Sequence, residues 1–174
     1  TVTVNDVITP GSCANKYSIL RTWTATDICG NSSTSSQTIT VDDQTDPVIT
    51  GTPTNTTVSC AADVPAASIA SVSATDNCAG TVTVTVNDVI TPGSCANKYS
   101  ILRTWTATDI CGNSSTSSQT ITVDDQTAPV ITGTPTNTTV SCAADVPAAS
   151  IASVSASDNC AGTVTVTVND VITP

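Results

Sequence analysis

The sequence predicts an all-β protein made of tandem, disulfide-stapled, antiparallel β-sandwich repeats of about 82 residues. The first observation is a repeat, because residues 1–92 match residues 83–174 at all but two positions. The second is composition, since threonine, serine, valine and alanine dominate and β-branched side chains favour strands. The third is eight cysteines, four in each repeat, which indicate disulfides in an oxidising compartment; the alternative is buried free thiols.

The period sets the expected domain organisation. A repeat of 82 residues is longer than a usual solenoid unit and fits one small domain. We therefore divide the chain into the C-terminal part of an upstream repeat (1–42), a complete repeat (43–124) and the N-terminal part of the next (125–174). Neither end piece is expected to close its own core, so each needs more chain or a neighbouring subunit.

The first half of the complete repeat predicts four strands. PVITGTP (47–53) begins with proline and reads as an edge strand, and TNTTVSC (54–60) follows it. AASIASVSATD (66–76) alternates small apolar and polar residues. TVTVTVND (81–88) alternates throughout and is the clearest strand pattern in the chain.

The second half adds three strands and no helical periodicity. VITPGSC (89–95) is a short strand with a Pro-Gly break. YSILRTWTATD (99–109) places Tyr99, Ile101, Trp105 and Ala107 on one face, and SSTSSQTITV (114–123) closes the repeat. Seven short strands predict an antiparallel sandwich with Ig-like connections.

The cysteines bracket the long strands, which constrains their pairing. Eleven extended residues span roughly 35 Å, whereas bonded cysteines need Cα atoms about 5.5–6 Å apart, so pairing of successive cysteines is disfavoured. An Ig-like strand order then favours Cys60–Cys111 and Cys78–Cys95, and the alternative is Cys60–Cys95 with Cys78–Cys111. The cysteines of the end pieces are expected to pair outside this sequence or with a neighbouring chain; they are Cys13, Cys29, Cys142 and Cys160.

Three stretches resemble a known family. They are SATDNCAG (73–80), RTWTATDICGNSS (103–115) and VDDQTAPVI (123–131). They resemble hyalin-repeat (HYR) and related Ig-like tandem repeats of large surface adhesins from Bacteroidetes-type bacteria. The chain departs from that pattern where a single proline replaces the usual Pro-Pro junction. The resemblance implies an extracellular, cell-surface β-sandwich used for spacing and adhesion.

Aspartates at the predicted junctions form the candidate ligand set. Calcium binds six to eight oxygens, mostly from carboxylates, carbonyls and water. The strand order groups Asp42, Asp43 and Asp109 at one junction and Asp76, Asp124 and Asp125 at the other. Interdomain calcium would stiffen these joints, as it does in cadherin-like arrays by resemblance. The alternative is that aspartates such as Asp76 and Asp109 only cap turns.

Composition excludes several functions. Histidine and glutamate are absent, so enzymatic activity is not expected. A net charge of −10 argues against nucleic-acid binding, and no apolar run approaches the roughly 20 residues of a membrane span. We expect an adhesive stalk whose partners are adjacent repeats and an unidentified surface ligand. The alternative is a non-covalent filament of identical subunits, completed by strand addition.

Overall fold

The computed structural model describes residues 1–173, and that range is built from strands and short 3₁₀ turns, as predicted. The strands are β1 (Val2–Pro10), β2 (Lys16–Thr26), β3 (Ser32–Asp42), β4 (Val48–Thr50), β5 (Thr56–Val58), β6 (Ser73–Thr75), β7 (Thr83–Cys95), β8 (Lys98–Thr108), β9 (Ser114–Asp124), β10 (Val130–Thr132) and β11 (Ser155–Ser157). The 3₁₀ turns span Ala61–Asp63, Ile69–Ser71 and Ala143–Asp145. Within residues 1–173, no helix has the length and apolar character needed to span a membrane.

The strands form four sheets, with the orders β1–β2–β3, β4–β6, β5–β9–β8–β7 and β10–β11. The pairs β1–β2, β2–β3, β4–β6 and β10–β11 are antiparallel, whereas β5 runs parallel to β9. The chain divides into two compact units. Unit 1 comprises 1–55, 67–89 and 102–120, and unit 2 comprises 56–66, 90–101 and 121–174. These units differ from the boundaries expected from the period, since each combines segments of more than one repeat.

The alternating patterns produce the predicted strand faces. In β7, Val84 and Val86 are half-buried, whereas Thr83 and Thr85 are exposed. In β8, Ile101, Trp105 and Ala107 are buried and Tyr99 is half-buried, because side chains two residues apart lie on one face of a strand. The prediction for this face is therefore confirmed.

Two local predictions are corrected. The Pro92–Gly93 pair does not end the strand, since β7 continues through both residues to Cys95. Residues 66–76 form only a short strand, because Ser68 caps a 3₁₀ turn by accepting a hydrogen bond from Ala70 N. A serine hydroxyl that bonds to nearby backbone competes with strand pairing.

Trp105 is the centre of unit 1. Its side chain is 1% exposed, and its Nε1 donates a hydrogen bond of 3.0 Å to Ser68 O. The segment around β4 also lies against β9, where Gln119 Nε2 donates to Thr54 O at 2.6 Å. These contacts place the β4–β6 segment over the strand that carries Trp105. Unit 1 thus has the two-layer packing of a β-sandwich.

The sheet β1–β2–β3 repeats the sequence of β7, β8 and β9 but is much more exposed. Trp23 occupies the position of Trp105 and is 37% exposed, and Val2 and Val4 are 70% and 59% exposed. Identical side chains therefore have different environments, because a covering segment equivalent to β4–β6 does not lie over Trp23 within residues 1–173.

In unit 2 the core lies along β9. Ile121 and Val123 are fully buried, and their backbone pairs in parallel with Thr56 and Val58 of β5. Cys60 and Cys160 are buried in the same unit. The small number of large apolar residues explains why a disulfide is part of this core.

Ion pairing provides a first testable prediction. Arg103 is 4% exposed and donates two hydrogen bonds to Asp88, at 2.8 and 2.9 Å. The Arg103 hydrogen bond lowers the pKa of Asp88 below its ordinary value of 3.8. We expect Asp88→Asn to reduce the free energy of unfolding by about 1–2 kcal/mol at pH 7, because a charge-assisted hydrogen bond is lost beside a buried guanidinium.

The matched control is Asp6→Asn, since Asp6 pairs with the half-exposed Arg21 in the equivalent position. That variant is expected to lose much less stability. A lowered folded-state pKa stabilises the protein above about pH 4, and this contribution disappears as pH falls through the folded value. Denaturant melts from pH 7 to pH 2.5 should therefore show the Asp88→Asn difference shrinking below about pH 4. A constant difference would contradict this account.

Candidate functional site

The TDICGN turn between β8 and β9 is organised by one carboxylate. Asp109 Oδ1 accepts hydrogen bonds from Cys111 N and Asn113 N at 2.8 and 2.9 Å, and Oδ2 accepts one from Asn113 Nδ2 at 2.8 Å. Gly112 adopts φ +93°, a conformation that glycine reaches without steric cost. Asp27 makes the same set of bonds in the first repeat. The capping alternative is thus observed at both turns.

This turn carries the first disulfide. Cys111 is bonded to Cys13, which lies 98 residues earlier, and both residues belong to unit 1. Their separation exceeds the period of 82, so the bond joins one repeat to the next.

The second disulfide lies in unit 2 and is supported by an asparagine. Cys60 is bonded to Cys160, which lies 100 residues later. Asn97 Oδ1 accepts a hydrogen bond from Ala61 N at 3.3 Å, and its Nδ2 donates to Ala161 O at 3.1 Å. One amide side chain therefore holds the two backbone segments that follow the bonded cysteines.

The predicted pairs Cys60–Cys111 and Cys78–Cys95 are not formed, because Cys60 and Cys111 have other partners and Cys78 and Cys95 are unbonded. The alternative set, Cys60–Cys95 with Cys78–Cys111, fails for the same reason. Cys13 and Cys160 were expected to pair outside the sequence and instead bond within it. The prediction failed because it assumed that each repeat closes with its own cysteines, whereas cysteines of different repeats meet in each compact unit. The unbonded cysteines within residues 1–173 are Cys29, Cys78, Cys95 and Cys142.

Two carboxylates and a cysteine sulfur meet beside the end of β3. Ligand atoms of Asp43, Asp76 and Cys78 lie within 4.8 Å of one another in unit 1, and Asp109 lines the same narrow pocket. Asn15 brings the segments together, since its backbone carbonyl accepts from Asp43 N at 3.1 Å. Burial raises the pKa of the Cys78 thiol, and the nearby carboxylates raise it further.

The oxygens of this cluster are only partly used by the protein. Asp43 Oδ1 accepts from Thr45 N at 3.1 Å, and Asp76 Oδ1 accepts from Cys78 N at 2.9 Å. The second oxygen of each carboxylate is buried and accepts no hydrogen bond, and Asp43 as a whole is 8% exposed. A buried, unpartnered carboxylate oxygen is costly unless a cation or proton satisfies it.

The second repeat contains an equivalent cluster in unit 2. Ligand atoms of Asp125, Asp158 and Cys160 also lie within 4.8 Å of one another. Here the sulfur belongs to the Cys60–Cys160 disulfide, so it is not an available thiolate. The ligands available in both clusters are therefore the aspartate carboxylates.

The other predicted ligands are engaged in ion pairs. Asp42 lies 2.9 Å from Lys16, and Asp124 lies 3.1 Å from Lys98. Hydrogen bonds from Lys16 and Gln44 lower the pKa of Asp42, and hydrogen bonds from Gln126 and Lys98 lower the pKa of Asp124. The sequence contains four basic residues, and all four pair with aspartates outside the two clusters. The clusters thus have no basic partner among the described residues.

The grouping expected from the sequence is therefore rearranged. Asp43 and Asp76 were assigned to different junctions, and the structure brings them together, whereas Asp42 and Asp124 lie in ion pairs. Sequence reasoning missed the structural role of Asn15 and Asn97. Their only signal is that the stretch CANK recurs at 13–16 and 95–98.

One family model matches part of the chain. Residues 48–123 match the family model of an HYR-like domain with four cysteines, which here are Cys60, Cys78, Cys95 and Cys111. No curated protein matches the chain. Residues 48–123 are therefore similar to an HYR-like domain, which suggests an extracellular adhesion-type module.

Proposed function

We propose that the chain is part of a stiff structural and adhesive stalk at a cell surface, in which successive HYR-like repeats are covalently joined. The observation that carries the proposal is the position of the disulfides. Both bonds connect residues 98 or 100 positions apart, which is more than one period, so each ties a repeat to its neighbour. Such bonds resist separation of adjacent repeats under load, as a stalk requires.

Near-identity of the repeats also supports a structural role. The repeats differ at so few positions that added copies provide length and a repeated surface but no new site. The partners in this proposal are adjacent repeats and an unidentified ligand on the surface to which the stalk adheres. That ligand would determine where along the stalk adhesion takes place.

The second candidate is a non-covalent filament in which neighbouring chains complete each other. The exposed sheet β1–β2–β3 favours it, because Trp23 would be covered if a segment like β4–β6 were supplied by another chain. Mass measurement of the protein from its source, under denaturing and reducing conditions, separates the two. A chain of many repeats supports the stalk, and a short subunit supports the filament.

We further propose that the Asp43–Asp76 and Asp125–Asp158 clusters bind calcium. The buried second oxygens of Asp43 and Asp76 support this, as does the absence of a basic partner among the described residues. The remaining ligands would be water and carbonyl oxygens, which calcium accepts readily. In this proposal calcium stiffens the segment between repeats.

Calcium titration provides the test. A ligand at 100 times its dissociation constant stabilises the folded state by about 2.7 kcal/mol, so millimolar calcium should raise the melting temperature and a chelator should reverse the shift. The Asp43→Asn/Asp76→Asn/Asp125→Asn/Asp158→Asn variant should lose the shift. Asp46→Ala is the control, because Ala128 occupies the equivalent position in the second repeat. A wild-type protein with no calorimetric binding and no shift would exclude calcium.

A further inference from the structure

The two disulfides follow one positional rule. Cysteines 82 residues apart occupy equivalent positions in the two repeats; the equivalent pairs are Cys13 and Cys95, Cys29 and Cys111, Cys60 and Cys142, and Cys78 and Cys160. The bond from Cys13 to Cys111 spans 98 residues, and the bond from Cys60 to Cys160 spans 100 residues. Each bond links a cysteine to the next repeat, and never to its own.

Applied to the remaining cysteines, this rule accounts for all four that are unbonded. Cys29 and Cys78 require partners 98 and 100 residues earlier, and Cys95 and Cys142 require partners 98 and 100 residues later. Every one of those positions falls outside the 174 residues. Within the 174 residues the rule therefore gives these four thiols no partner.

The structure around Cys78 already resembles the bonded site. At the bonded site, Asn97 Nδ2 donates to Ala161 O, next to Cys160. At the unbonded site, Asn15 Nδ2 donates to Ala79 O at 2.8 Å, next to Cys78. What differs is the second contact, because Asn97 Oδ1 also accepts from Ala61 N beside Cys60. The unbonded site thus contains one half of the arrangement.

The same comparison holds for Cys29. The Asp27 turn has the hydrogen bonds of the Asp109 turn, and the backbone of Cys29 is held as the backbone of Cys111 is. Cys29 and Cys95 are both exposed, so each is accessible to another chain. No rearrangement of the turn is needed to present the Cys29 sulfur.

We propose that two copies of this chain join head to tail through two disulfides, Cys95 to Cys29 and Cys142 to Cys78 of the second copy. The inference rests on the second candidate above, the filament of separate chains, and replaces its non-covalent joints with disulfides; in a continuous stalk the same partner positions would lie further along one chain. The open sheet β1–β2–β3 of the second copy supports it, since the first copy carries β10–β11, the repeat of the β4–β6 ribbon that covers Trp105. One copy thus supplies both the missing sulfurs and the missing cover.

The oxidant is a small-molecule disulfide such as oxidised glutathione. A thiolate of one chain attacks it, forms a mixed disulfide and releases one reduced glutathione. The partner thiolate then attacks the mixed disulfide, forms the protein–protein bond and releases the second reduced glutathione. Each bond therefore oxidises two protein thiols and reduces one glutathione disulfide.

Two complementary variants of the 174-residue chain test the proposal in glutathione redox buffer. Cys29→Ser/Cys78→Ser and Cys95→Ser/Cys142→Ser each retain one end. Wild type should form a ladder of oligomers on non-reducing gels that collapses with reductant. Each variant alone should stay monomeric, and an equimolar mixture should convert to dimer without larger species.

Peptide mapping of a mixture of isotopically labelled and unlabelled chains identifies the bonds. Cys29–Cys95 and Cys78–Cys142 peptides that combine one labelled and one unlabelled half support the proposal. Oligomers from a single variant, a Cys78–Cys95 bond within one chain, or a monomeric wild type that retains four titratable thiols would each overturn it. Such an outcome leaves the stalk to be judged by the reduced mass of the source protein. Intact mass should confirm that Cys13–Cys111 and Cys60–Cys160 persist in both variants.

Discussion

Replacing Trp105 with alanine is expected to lower the free energy of unfolding of unit 1 by about 3–5 kcal/mol. The side chain is 1% exposed, so its removal leaves a cavity between β8 and the covering β4–β6 segment. The substitution also removes the hydrogen bond from Trp105 Nε1 to Ser68 O, which keeps only its bond from Ser71 Oγ. Denaturant unfolding followed by circular dichroism and tryptophan emission measures the loss.

Trp23→Ala is the matched control for this prediction. Trp23 lies in an identical eleven-residue strand and in the same unit, so both variants report on the same folded body. It is 37% exposed, and we expect its removal to cost less than about half as much, because less area is withdrawn from water. Each variant retains one tryptophan, whose emission should be blue-shifted for Trp105 and red-shifted for Trp23. Equal losses of stability would show that Trp105 is not the centre of the core.

Removing the Cys13–Cys111 bond is the second change expected to have a large effect. The Cys13→Ser/Cys111→Ser variant should lose about 2–5 kcal/mol, because the bond closes a long loop in the unfolded chain. Both cysteines are replaced so that no new free thiol is created. The unfolding free energy is measured by tryptophan emission, since Trp23 and Trp105 share unit 1 with this disulfide.

The control is Cys29→Ser/Cys95→Ser, which changes two cysteines that are exposed and unbonded. It is expected to leave the stability of the single chain within about 0.5 kcal/mol of wild type. A large loss in this control together with a small loss in Cys13→Ser/Cys111→Ser would mean that the observed pairing is not the stabilising one.

The local sequence predicted the strands because strand patterning depends on near neighbours. The alternation of valine and threonine and the apolar face of β8 both survive in the structure. The shorter elements were harder to place. Residues 66–76 have an alternating pattern, but the Ser68 cap outweighs it locally.

The arrangement of the candidate ligand residues could not be predicted from the sequence because it depends on contacts between distant segments. Asp43 and Asp76 are 33 residues apart, and the link from Asn15 to Ala79 helps to bring their loops together. No local pattern specifies that contact. Asp42 and Asp124 have the same side-chain chemistry, yet each is paired with a lysine of the neighbouring strand.

The sequence by itself determined that the protein is all-β, repetitive, acidic and rich in cysteines that can form disulfides. It also determined which side of each strand is apolar, because that depends on a period of two residues. Only the tertiary structure decided which cysteines bond and which copy of a repeated strand is covered. Equivalent residues of two repeats are chemically identical, so Trp23 and Trp105, or Cys78 and Cys160, can be distinguished only by what packs against them.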